Sequence, residues 1–148
     1  MTIDEMNLEP VARAAATLLQ QQHPDVQFTS GRRTVKQQAH AMAANIVELK
    51  DRKWIGKTYK AGSKLQQWVD KHPQAVTIDQ ISAGLETTML AMSETERLKI
   101  SRHLTGRAFD VRPVTKNAKA IKSDIQKLPG LDVFLDTEGG HIRWHAQF

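Results

Sequence analysis

The chain has 148 residues and a mass of 16.7 kDa, with 40% hydrophobic and 25% charged residues, which suits one globular domain with its own core. It has no cysteine, which excludes disulfides, thiolate nucleophiles and sulfur-ligated zinc, so any transition metal must be held by nitrogen and oxygen from 6 His and 16 Asp and Glu. A net charge of +5 and a pI near 9.6 favour adsorption to polyanions such as nucleic acid, anionic lipid or an anionic cell wall.

There is no apolar run of about 18 residues, and the acidic start MTIDEMNLEP lacks the basic-then-apolar layout of a secretory signal. Membrane insertion and signal-directed export are therefore not expected. From Asp4 to about Gln21, Leu8, Val11, Ala12, Ala15, Leu18 and Leu19 recur at helical spacing, which predicts a first helix ending before His23-Pro24. Val26 to Thr29 alternates as a short strand, and Ser30-Gly31 signals a turn. A second helix is predicted from about Thr34 to Leu49, with Ala39, Met42, Ala43, Ile46 and Leu49 on one face.

Residues 50 to 100 are the least patterned, a mainly helical insertion with short segments such as Ser63 to Lys71 between Gly56, Gly62, Pro73 and Gly84. Ser93 followed by Glu96 fits a capping box that opens another short helix. Trp54, Tyr59 and Trp68 interleave with Lys53, Lys57, Lys60 and Lys64, a pattern that either stacks on bases or sugars or packs a small helical subdomain under solvated lysines.

Arg107 to Arg112 alternates as a half-buried strand, with Phe109 and Val111 opposite Ala108, Asp110 and Arg112. A helix is predicted from Asn117 to Leu128, a turn at Pro129-Gly130, and an extended run from Leu131 to Leu135. At the C-terminus Ile142, Trp144, Ala146 and Phe148 alternate with His141, Arg143, His145 and Gln147, so a regular strand would turn both histidines out of the core. His23, His40 and His72 lack partners at useful spacing and read as surface residues.

Pairing the polar face that bears Asp110, just after His103, with the one that bears His141 and His145 lets nitrogen and oxygen donors converge on a point. Three ligands of the His/His/carboxylate type leave the fourth tetrahedral position of zinc to water, and Glu138 stands near His141 as a proton acceptor.

The segment Ser101-Arg102-His103-Leu104-Thr105-Gly106-Arg107-Ala108-Phe109-Asp110 matches S-x-H-x-x-G-x-A-x-D. In this it resembles the D-alanyl-D-alanine peptidases of the M15 family, within the lysostaphin/D-Ala-D-Ala/hedgehog group of zinc proteins. Ser30-Gly31-Arg32-Arg33-Thr34 resembles the family's S-G-x-R-[ST] segment, and Glu138-Gly139-Gly140-His141 its E-x-x-H, in the family's order. Gly106 would let the chain turn sharply between ligands, and Ala108, on the face of Asp110, would leave room for a metal.

The resemblance implies an α+β fold, a small and mainly antiparallel sheet with helices packed on it, a zinc site in a cleft, and a single domain over 1–148 carrying the helical insertion at about 50–100. It implies Zn2+ held by His103, Asp110 and His141, with Glu138 as catalytic base and Arg33 and Ser101 on the substrate side. Arg32 stands where the family usually has an aromatic, so the choice between the two arginines stays open; a guanidinium suits either role because its fork makes two parallel bonds to planar oxygens. His145, about 13 Å along a regular strand from His141 at about 3.3 Å per residue, competes as third ligand, or orients substrate or an oxyanion.

The activity implied is that of a zinc metallopeptidase, a hydrolase of peptidoglycan stem peptides acting as endopeptidase or carboxypeptidase. A basic chain of this kind resembles a bacteriolytic phage endolysin or virion-associated lysin, made in the cytoplasm, released through a holin or delivered by the virion, and monomeric on its peptidoglycan substrate. No nucleic-acid partner is expected. A non-catalytic zinc module of the same fold and a basic nucleic-acid-binding domain are the alternatives.

Overall fold

The computed structural model describes residues 1–148, which form seven α-helices and a four-stranded antiparallel sheet, an α+β chain as the patterning predicts. Two compact units are distinguished: Met1–Arg32 with Thr105–Phe148, and Arg33–Leu104.

The first unit holds helix α1 (Pro10–Gln22) and strand β1 (Phe28–Ser30). After the second unit it resumes with β2 (Ala108–Val111), α7 (Ala118–Gln126), β3 (Val133–Glu138) and β4 (His141–Gln147). The first helix begins at Pro10 rather than Asp4, because proline at the first helical position lacks only an amide that would be unpaired there anyway. Phe28, Phe109, Val111, Trp144, Ala146 and Phe148 cover one core with Leu19 of α1 and Ile121 and Ile125 of α7, and the Phe28 and Phe109 rings meet edge-on at 5.4 Å.

The strand order is β1-β2-β4-β3. Its register aligns Ser30, Asp110, His145 and Leu135 as one row of cross-strand neighbours. All four residues of β2 are buried, so the expectation of a half-buried strand is corrected: the face carrying Ala108 and Asp110 is enclosed as well.

A second departure from the sequence reading lies in β4. Leu135 pairs with His145 but Thr137 pairs with Ile142, so Arg143 and Trp144 stand against Asp136 alone. This bulge interrupts the alternation of β4.

The second unit contains α2 (Val35–Glu48), α3 (Trp54–Thr58), α4 (Ser63–Lys71), α5 (Ile78–Ala91) and α6 (Glu94–Leu98). The helical region thus extends upstream of the expected 50–100 to include α2. Thr34 opens α2 by a reciprocal capping box with Gln37, and Thr77 opens α5 by the same device with Gln80. Met42, Ile46, Leu65, Val69, Leu85 and Met89 are fully or almost fully buried among the helices. The Arg52 guanidinium donates to the carbonyls of Val69, His72 and Ala75 at 2.7–2.9 Å, tying the end of α4 to the loop that follows it.

The aromatic and basic stretch packs helices here. Trp54 is buried edge-on against Tyr59 at 5.6 Å, and Lys53, Lys57 and Lys64 pair with Asp70, Asp51 and Glu96. No helix of the chain is long and apolar enough to cross a membrane.

Candidate metal centre

His103 is carried on a single 3-10 turn, Arg102–Thr105. Ser101 Oγ accepts the backbone N–H of His103 at 3.2 Å, and the backbone N–H of Arg33 donates to the His103 carbonyl at 2.9 Å. The expected substrate residue Ser101 therefore caps the turn that presents His103, and Arg33 is fixed beside it.

Gly106 follows with φ +74°, and a Cβ there would lie 2.6 Å from the Arg32 Nε, so only glycine lets the chain swing into β2. Arg32 donates to the carbonyls of Asn7 and Thr105, each at 3.0 Å, and to the Glu9 carboxylate at 2.5 Å. These bonds commit Arg32 to the framework. Arg33 reaches Gln38 Oε1 through Nη1 at 3.2 Å.

Asp110 on β2 faces His145 on β4 directly across the ladder, and His145 Nδ1 lies 2.9 Å from Asp110 Oδ1. The other ring nitrogen, Nε2, lies 3.2 Å from Gln147 Oε1. His103, Asp110 and His145 are 3%, 3% and 5% exposed, and one donor atom from each lies within 4.8 Å of the other two. Two imidazoles and a carboxylate, enclosed together in a chain without cysteine, fit a divalent ion that accepts nitrogen and oxygen. This group could hold a metal ion.

Burial presses the His145 imidazole towards its neutral form. The hydrogen bond and charge of Asp110, the charge of Glu138 and the bond to Gln147 together outweigh burial and raise its pKa above the ordinary value.

The third member of the gathered group is His145, not His141, which the resemblance implied. His141 pairs with Glu138 beside the glycine turn Gly139-Gly140, and the bulge at Arg143-Trp144 puts it out of phase with His145. Its Nε2 is buried without a hydrogen-bond partner. Glu138 is half-buried at the end of β3 and acts on His145 through its charge.

Two further histidines depart from the surface reading. His23 Nε2 lies 2.8 Å from Asp124 Oδ2 of α7, and His72 stacks on Trp68 at 4.2 Å with its Nδ1 2.7 Å from the Trp68 carbonyl. The sequence signal for the latter was the four-residue helical spacing of Trp68 and His72; the former joins residues 101 positions apart and leaves no local signal.

Comparison with family models, curated proteins and solved structures returns no match to this chain.

Proposed function

We propose that the chain is a zinc-dependent peptidase acting on peptidoglycan stem peptides, with His103, Asp110 and His145 as the metal ligands. The observation that carries this reading is the enclosed His103–Asp110–His145 group, two members of which lie on the S-x-H-x-x-G-x-A-x-D segment. Zinc, when bound, supplies Lewis acidity to a substrate carbonyl and to water.

The chain's own residues do the rest. Asp110 orients the His145 ring through Nδ1, and Ser101 and Arg33 hold the turn that carries His103. Glu138 takes the proton of the attacking water on its carboxylate and returns it to the leaving amine nitrogen. The Arg33 guanidinium anchors a substrate carboxylate or carbonyl oxygen by parallel hydrogen bonds. A phage lysin released to or delivered at the cell wall is the biological setting most consistent with this chemistry.

The alternative is a metal-holding module without catalysis, favoured by one observation: Glu138 lies out of register with the row that carries Asp110 and His145. Digestion of purified peptidoglycan by the zinc-loaded chain, with mass analysis of the fragments, tests the proposal. New amine and carboxyl termini at a single stem-peptide bond are expected. An unchanged digest, with zinc bound, would favour the module.

A further inference from the structure

We infer that a cleft in the first unit, none of whose lining residues belongs to the metal group, binds the free carboxylate end of a short aliphatic peptide. The cleft has a volume of about 300 Å³ and lies where the chain leaving α1 meets the end of β2 and the start of α7. A volume of this size is at the small end for ligand sites and takes a ligand of dipeptide scale.

Its lining combines two chemistries. Val26, Val114 and Ile121 supply an apolar surface for aliphatic side chains. Arg112 and Lys116 supply two exposed cations whose side chains take part in no hydrogen bond or ion pair within the chain. The Arg112 backbone is nevertheless fixed, its N–H donating to the Gln27 carbonyl at 2.8 Å, so the guanidinium starts from a defined position. The acid nearest the wall on α7, Asp124, is already engaged by His23 at 2.8 Å and does not neutralise the cations. Asp25, which also lines the cleft and is exposed, is a free carboxylate that can receive a peptide ammonium.

Two unpaired cations against one unpaired carboxylate, over an apolar floor, complement a zwitterion in which the carboxylate is the required group. A guanidinium fork suits a planar carboxylate, and the lysine adds a point charge. A phosphate ester would satisfy the cations but leave Asp25 and the apolar floor without a complement. This inference does not need the hydrolytic reading, because the binding it describes is independent of metal.

The test is a titration of the full chain, metal removed by chelator, with alanyl-valine in its L,L and D,D forms, followed by backbone amide NMR. Saturable shifts are expected at residues 22–27 and 112–121 with at least one of the two forms. Amidating the dipeptide's C-terminus should weaken binding about tenfold, the scale of one charge-assisted hydrogen bond, and R112Q and K116Q should each weaken the acid and leave the amide little changed. Both residues are exposed, so these variants keep the fold, which the unperturbed remainder of the spectrum verifies. Equal binding of acid and amide, shifts confined to His103, Asp110 and His145, or no saturable shift in the cleft with either form would each overturn the inference. Hydrolysis could fail while this binding holds, and the reverse, so the two readings are separately decided.

Discussion

Asp110 and His145 stand directly opposite each other on β2 and β4, and their buried side chains meet at 2.9 Å. The carboxylate fixes the ring through Nδ1, and His103 approaches from the turn that precedes β2. A cation held among the three would compete with the proton for the His145 ring, which ties metal binding to pH.

From this relationship the ligand assignment follows as a prediction. Metal analysis of the wild type is expected to find one zinc per chain. His103→Ala and His145→Ala should lose more than the roughly 10–100-fold in affinity that removal of an outer partner costs, whereas His141→Ala should keep zinc at near wild-type occupancy. Loss of zinc in His141→Ala with retention in His145→Ala would restore the assignment that the E-x-x-H resemblance implied.

The pH dependence has opposite signs with and without metal. His145 has a raised pKa in the folded chain, so without metal its contribution to stability is complete below about pH 6.5, the unfolded value, and is lost as the pH rises through the raised folded value. Zinc needs the neutral ring, so its stabilising effect grows over that same rise and fades on acidification. Thermal midpoints of the wild type and His145→Gln between pH 5 and 9 should therefore converge with rising pH in chelator and diverge with rising pH in zinc. A difference in chelator that is flat across this window would contradict the Asp110–His145 pairing.

Glu138→Gln keeps size and removes the base. Turnover of peptidoglycan should fall by about 10²-fold or more with zinc content unchanged. Activity within a few-fold of wild type would exclude Glu138 as proton acceptor and leave its role as the charge that acts on His145.

Local signals in the sequence carried much of the fold. The predicted helix from Ser63 to Lys71 agrees with α4, and the helix from about Thr34 differs by one residue at either end because Thr34 caps it from outside. The 14-residue α5 was hidden by Gly84 and by a run with little polar contrast, although Thr77 and Gln80 carried its capping box. In the site, His103 and Asp110 were legible because a short segment holds both. His141 is favoured in the sequence by the glutamate three positions earlier, and the structure sets it apart from His145 because a bulge, a property of the pairing with β3 that no residue of β4 announces, puts the two out of phase. The burial of Asp110 depends likewise on neighbours distant in sequence, among them His145, 35 positions later.

Gly84 offers a test in which helix propensity and packing predict opposite signs. It lies within α5, where replacing glycine by alanine ordinarily gains about 1 kcal/mol by restricting the unfolded chain and favouring the helix. A Cβ on Gly84, however, would stand 1.8 Å from Cζ2 of Trp68 and 2.1 Å from Cη2. The indole cannot swing aside freely, because it packs against the helical core and stacks on the His72 ring at 4.2 Å, itself tied through Nδ1 to the Trp68 carbonyl. Accommodating the methyl must separate α4 from α5 or expel the indole, and overpacking of this kind costs about 1–3 kcal/mol. Because the approach is as close as 1.8 Å, packing is expected to win, with Gly84→Ala losing up to about 2 kcal/mol net in denaturant unfolding followed by tryptophan fluorescence. The double variant Gly84→Ala with Trp68→Leu should recover the helix-propensity gain relative to Trp68→Leu alone, since the obstacle is then gone. A stabilised Gly84→Ala single variant would show that the close approach of Gly84 and Trp68 does not hold α4 against α5.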